Sequence, residues 1–178
     1  MSAFEITLLS IVMIIGFSIV WSALKTGISP MPSSKQARTA MMTLSEKTGT
    51  GPIYELGSGW GNVLIALAKK HPNRKIVAYE LSFMPWLMSV TIKHLLGLNN
   101  LTIYRQNFLK ADLSDASLIV CFLFTEVMKE LEEKLQTESG SIEYLISNNF
   151  SLPSHTPVQT VQLNDLYKSP IYLYKLTP

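Results

Sequence analysis

Tyr54-Glu55-Leu56-Gly57-Ser58-Gly59-Trp60-Gly61-Asn62-Val63 is the stretch on which the reading of this chain turns. An apolar approach, Ile53 and Tyr54, meets an acidic residue, then glycine at every second position, then an amphipathic run from Val63 to Lys70. That pattern predicts a strand, a tight loop and the start of a helix. Glycines so spaced let the backbone take positive φ and bring the main chain against a ligand, since no Cβ intervenes. The helix that follows directs its unpaired N–H groups and the positive end of its dipole at the same place. Such a loop cradles a small, partly anionic cofactor; a glycine-rich strand-to-helix turn without a ligand is the alternative.

Spacing decides which cofactor. The dinucleotide fingerprint is G-x-G-x-x-G, whereas here the order is G-x-G-x-G with Glu55 two residues ahead. A carboxylate beside a pyrophosphate would be repelled. S-adenosylmethionine (SAM) instead carries an ammonium for Glu55, met directly or through water, and a carboxylate for the loop N–H groups. At Glu55, Gly57, Gly59 and Gly61 the sequence resembles the class I, seven-strand SAM-dependent methyltransferases, whose first motif is D/E-x-G-x-G-x-G. Ser58 falls inside that motif and joins the expected cofactor set.

Two further positions extend the cofactor reading. Lys75 to Tyr79 reads as a buried strand closed by Glu80, 23 residues past Gly57. An acid at the end of the second strand accepts both ribose hydroxyls of a bound adenosine, and Leu81 follows it directly. Leu101 to Arg105 reads as a third strand leading into Gln106-Asn107-Phe108. Many class I methyltransferases carry Asp there, accepting from the adenine amino group. Asn107 could accept through its oxygen and donate through its NH2, with Phe108 beside it; an asparagine serving only a turn is the other reading.

The remaining chain fills out an alternating pattern. Lys35 to Lys47 and Phe83 to Leu96 read as helices, the second with Trp86, Leu87, Val90 and Leu95 as core. Ser117 to Phe122 is an apolar run that only a sheet covered on both faces wants. Its exit, Phe122-Leu123-Phe124-Thr125-Glu126, lacks the N/D-P-P-F/Y of exocyclic-amine nucleic-acid methyltransferases. Glu126 to Thr137 reads as a solvated outer helix whose charges need no functional account. Glu143 to Asn148 is a fifth strand, and Val158 to Leu163 with Ile171 to Leu176 reads as a terminal antiparallel pair. The expected fold is α/β: a doubly wound, mostly parallel seven-stranded sheet, Rossmann-like, over residues 53–178.

Ahead of that domain the chain changes character. Of 178 residues, 47% are hydrophobic and 16% charged, and the apolar excess is concentrated at the start. Ile6 to Leu24 is nineteen residues without a charge, the length of a membrane-spanning helix. Glu5 and the absence of Lys or Arg before Lys25 argue against a cleaved signal peptide. Residues 1–24 are therefore expected to be a transmembrane anchor and residues 25–52 a Pro-Ser-rich linker with the leading helix. That linker either borders the cofactor cleft or serves as a spacer. Basic charge begins at Lys25, Lys35 and Arg38, so a single-pass protein would keep its catalytic domain on the cytoplasmic or matrix-equivalent side. A formal charge of +2 gives no nucleic-acid-scale basic field. Cys121 stands alone and His71, His94 and His155 have no ligand spacing, so no metal is expected.

The resemblance narrows on short motifs along nearly the whole chain: the hydrophobic start, Pro32-Ser33-Ser34, Glu55-Leu56-Gly57-Ser58-Gly59, Tyr79-Glu80-Leu81, Leu131-Glu132-Glu133-Lys134-Leu135, Asn149-Phe150-Ser151-Leu152-Pro153 and Tyr172-Leu173-Tyr174. These are similar to the small membrane-anchored protein-lysine methyltransferases typified by the ATP synthase c-subunit and adenine nucleotide translocase enzymes. The resemblance implies SAM as cofactor and methyl transfer to a lysine of a membrane-embedded protein, with the anchor supplying proximity. The substrate pocket is expected at Asn149, Phe150 and Pro153, with Phe122 and Phe124 facing it. Asn149 is a candidate for orienting the amine or an ordinary loop residue, and no catalytic base is visible. A small-molecule or lipid methyltransferase and a catalytically silent SAM-binding scaffold are the competing readings.

Overall fold

The computed structural model describes residues 2–10, 12–13, 16, 32–138 and 142–176. Among these residues seven strands, β1 (Ile53–Leu56), β2 (Ile76–Tyr79), β3 (Leu101–Tyr104), β4 (Leu118–Cys121), β5 (Tyr144–Asn148), β6 (Gln159–Gln162) and β7 (Pro170–Lys175), form one sheet in the order β3-β2-β1-β4-β5-β7-β6. Strands β1 to β5 run parallel, and β7 lies antiparallel between β5 and β6. The helices are α1 (Lys35–Ser45), α2 (Asn62–Lys70), α3 (Phe83–Leu95) and α4 (Thr125–Thr137), with a 3-10 turn at Phe108–Lys110.

Why these segments form these elements is visible in their burial. Strands β1, β2 and β4, each four residues long, are buried at every position, because helices or loops cover both faces. One hydrophobic cluster joins Ala37, Met41 and Leu44 of α1 and Val63, Leu64 and Leu67 of α2 to one face of the sheet. A second joins Met128 and Leu131 of α4 to Tyr54, Tyr79, Ile119 and Tyr174 on the other. Ser34 caps α1 by accepting from the Ala37 N–H at 3.1 Å. At the amino ends of β1, β2 and β4 the buried Arg74 guanidinium ties down the loops, donating to Gly51 O, Thr48 and Ser117. Cys121 sits among apolar side chains, and burial pushes its thiol up to about 12.

Two helices differ from expectation. Of the residues read as core on α3, Leu87 and Leu95 are exposed, Trp86 and Val90 are half-buried, and only Pro85 and Ser89 are buried. The cause lies beneath Ser89: a Cβ on Gly61 would come within 2.7 Å of its Oγ, so α3 approaches the glycine loop through small residues and turns its large ones outward. On α4, Glu132 is buried, which corrects the reading of that helix as wholly solvated in its charges.

No helix among the described residues is long and apolar enough to cross a membrane. Half of the anchor expected at residues 1–24, including all of 17–24, lies outside the described residues. Residues 3–10 and 12–13 are helical, with Phe4, Ile6, Leu8, Leu9, Val12 and Met13 exposed.

The register fixes where the site must be. Leu56 pairs with Tyr79 and Cys121, and Cys121 with Ser147, so β1, β2, β4 and β5 end level with one another. The order in which successive strands are added reverses between β1 and β4, which opens a crevice beyond the carboxyl ends of these parallel strands.

Candidate active site

That crevice holds a cavity of about 580 Å³. Its lining includes Glu55, Gly57, Ser58, Gly59, Glu80, Leu81, Asn107, Phe108, Phe122, Phe124, Asn149 and Phe150. The strand order lays them out in a row: Asn107 after β3, Glu80 after β2, the glycine loop after β1, Phe122 after β4, and Asn149 with Phe150 after β5.

The acidic end carries the sharpest chemistry. Glu55 is only 5% exposed, and its Oε2 has no hydrogen-bond partner; the buried Ser58 Oγ likewise has none. Burial, and then the neighbouring Glu80 carboxylate, push the Glu55 carboxyl well above the ordinary carboxylate value. Buried polar atoms without partners are costly and rare, so two of them on one cavity wall fit a ligand that brings a cation and donors. The two acids lie close enough for Glu80 to act on Glu55.

Glu80 also organises the loop. Its Oε2 accepts from the Gly59 N–H at 2.7 Å and its Oε1 from the Ser82 N–H at 2.7 Å. Each carboxylate oxygen keeps a second lone pair for a hydroxyl donor. Gly57 and Gly59 adopt φ of +73° and +52°, and a Cβ on Gly59 would meet nothing within 4 Å, so backbone faces open space there.

The loop N–H groups depart from expectation. Those of Gly57 and Ser58 donate to Tyr79 O, that of Gly59 to Glu80, and that of Gly61 to Ser58 O. They shape the loop rather than wait for an anion. Unpaired N–H groups remain available at the first turn of α2, where no side chain supplies a cap. Gly61 does not line the cavity; with φ +80° it begins α2 and makes room for Ser89.

Asn107 takes the turn role: its Oδ1 accepts from the Leu109 N–H at 3.0 Å and caps the 3-10 turn, while the residue still lines the cavity. Pro153 is exposed and does not line it. The linker does reach the site, through Pro32 and Ser33, and Ser33 Oγ accepts from Asn148 Nδ2 at 3.2 Å.

The far end of the row is aromatic. Phe150 stacks on Phe122 with centroids 6.3 Å apart and lies tilted against Phe124 at 5.4 Å. Asn149 holds φ +69°, a left-handed conformation that Asn tolerates better than most residues. The loop bearing both is pinned from behind by Glu132, which accepts from the Ser154 N–H at 2.8 Å and from Ser154 Oγ at 3.2 Å. His155 Nδ1 lies 2.9 Å from the same carboxylate. Burial alone would raise the Glu132 carboxyl, but these hydrogen bonds together hold it below its ordinary value. Leu152 N–H adds a bond to the buried Tyr174 hydroxyl at 2.9 Å. Glu130 and Val127 of α4 also reach the cavity, which sequence reasoning missed. The signal lay in their place in the first turns of the helix that leaves the carboxyl end of β4, a helix read only for its charges. Among the described residues no three His, Cys, Asp or Glu side chains gather as metal ligands would.

Comparison with known proteins follows the same lines. Residues 55–159 match the family described as the ANTKMT methyltransferase domain. A protein-lysine N-methyltransferase of Saccharolobus islandicus is 24% identical over 148 residues, 81% of this chain and 91% of that protein. The mouse adenine nucleotide translocase lysine N-methyltransferase is 30% identical over 132 residues, 72% of this chain and 56% of that protein. This chain thus spans little more than half the length of the mouse relative. In fold, the crystal structure of an RNA methyltransferase from Salinibacter ruber in complex with S-adenosylhomocysteine superposes with a TM-score of 0.72 at 23% identity, covering 82% of this chain and 94% of that one.

Proposed function

From the premise that this chain belongs to the ANTKMT methyltransferase domain family, we propose that it transfers the methyl group of SAM to a lysine amine of a membrane protein. The observation that carries the reading is the single cavity with an acid-and-glycine end and an aromatic end. Relatives whose names specify lysine methylation, in an archaeon and in mouse, support the acceptor class.

Glu55 would receive the cofactor's ammonium, Glu80 its ribose hydroxyls, and the segment Asn107–Leu109 its base. When bound, SAM supplies an electrophilic methyl on a cationic sulfur. The protein's own task is to deliver an uncharged amine to that methyl. A lysine ammonium has a reference pKa of about 10.4. Phe122, Phe124 and Phe150 can exclude water around the amine, and that desolvation lowers the value, so the ammonium gives its proton to solvent before the neutral amine attacks. Glu130 at the cavity edge offers a first electrostatic contact to an incoming cation, and Asn149 can orient the nitrogen through its amide.

The membrane part of the reading rests on the uncharged run from Ile6 to Leu24 and on the exposed apolar helical residues within 3–13. A tether in the same bilayer as the acceptor raises its effective concentration without any new contact. The basic residues that follow the run favour a catalytic domain on the cytoplasmic or matrix-equivalent side.

Incubating the full chain with methyl-labelled SAM and native membranes tests the acceptor class. Label is expected in a protein band and on lysine nitrogen by mass spectrometry. Label in the lipid extract would mean a lipid methyltransferase, and none in any fraction a silent binder.

A further inference from the structure

Helix α3 contributes no side chain to either hydrophobic cluster. Phe83 and Leu87, four apart, and Met88 and Leu95, seven apart, stand exposed on one side of the helix with Thr91 between them, and the exposed Leu81 and Leu96 flank it in sequence. Met88 is 50% exposed and Leu95 79%. An apolar stripe of this extent on a folded domain marks an interaction face.

Charge identifies the occupant. Helix α3 carries Lys93 and His94 and no Asp or Glu, and Arg105 follows β3. Of the acids nearest in sequence, Glu80 is buried and bonded to the Gly59 and Ser82 N–H groups, and Asp112 follows the 3-10 turn that packs on α4. Lys93 and His94 lie in the last turn of α3, and the Arg105 guanidinium sits over the Phe83 ring, 5.3 Å from its centroid. An apolar face bordered by bases and no acids is complementary to anionic headgroups over hydrocarbon. A second copy fits poorly, because a two-fold contact sets the stripe against itself and brings these bases against their own copies.

We propose that the exposed face of α3 docks on the surface of an anionic lipid bilayer, with the cavity rim at Leu81 beside the headgroups. The inference stands apart from methyl transfer, since it concerns where the domain sits rather than what it transfers. Leu81 lines the cavity and is itself exposed, so the docked face and the cavity share an edge.

Spin labels on the full chain measure this directly. Cys121 is buried, so labels can be introduced singly at Met88→Cys and Leu95→Cys, with Lys129→Cys on α4 as the reference. Calorimetry with S-adenosylhomocysteine checks that each variant is folded. In phosphatidylcholine vesicles containing phosphatidylglycerol, power saturation is expected to give a several-fold higher ratio of oxygen to nickel-chelate accessibility at positions 88 and 95 than at 129. Without phosphatidylglycerol that ratio is expected to fall toward the reference. Nickel access at 88 and 95 equal to that at 129 overturns the proposal. So does dipolar broadening between copies, which would make the face a self-association surface. Equal immersion in both kinds of vesicle removes the charge argument and with it the anionic assignment.

Discussion

Helices α3 and α4 are both thirteen residues long and each follows one parallel strand, yet they invert each other's chemistry. The apolar helix, α3, buries only a proline and a serine and shows its leucines to the outside. The charged helix, α4, buries Met128 and Leu131 and with them a carboxylate, Glu132, which pins the loop carrying Asn149 and Phe150. Hydrophobicity on α3 therefore serves something outside the domain, and charge on α4 serves something inside it.

The contrast can be broken at its largest effect by Leu131→Ala, which opens a cavity under α4 and is expected to cost about 2–5 kcal/mol in denaturant unfolding. A loss below about 1 kcal/mol would mean that α4 is no better packed than α3. Next is Glu80→Ala, at the entry to α3. Losing two hydrogen bonds to a carboxylate is expected to weaken S-adenosylhomocysteine binding by about 100-fold in calorimetry.

Glu132→Gln should lower the melting temperature by about 4–8 °C, as a loss of about 2 kcal/mol does in a chain of this size. It should depress methyl transfer with cofactor affinity unchanged. Because the Glu132 carboxyl is held below its ordinary 4.5, its contribution is complete above that pH and is lost as pH falls through the lowered value. Thermal melts of the wild type and the variant should therefore converge in acid.

Glu55→Gln runs the other way. Its folded-state value is raised, so ionisation makes the cofactor-free protein less stable as pH rises above 4.5. At neutral pH the variant is expected to melt about 2–4 °C higher, on the order of 1 kcal/mol, while binding the cofactor more weakly. Smallest of all is Leu95→Ser, whose side chain packs on neither cluster and should change stability by less than about 0.5 kcal/mol.

Much of this arrangement is legible in the chain itself. Strands β1, β2 and β4 read as continuous apolar runs because both faces are covered, and Gly57 and Gly59 announce positive φ by their spacing. The facing of α3 is not legible: a helix apolar on nearly every side gives periodicity no contrast. What turns it is the fit of Ser89 against Gly61, two residues far apart in sequence. The partners of Glu132, Ser154 and His155, lie 22 and 23 residues on, and no local pattern points to them. Asn107 and Pro153 show a third limit. Position beside a motif does not say whether a side chain serves the backbone, as Asn107 Oδ1 does, or falls outside the cavity wall, as Pro153 does.

The Ser89 hydroxyl, which donates to Gly59 O at 3.2 Å while filling the space a Cβ on Gly61 would need, leaves no slack between helix and loop. A side chain larger than serine at position 89, or any side chain at position 61, therefore has nowhere to go without moving the helix off the turn. The seat of the helix and the shape of the turn are thus set by the same two small residues.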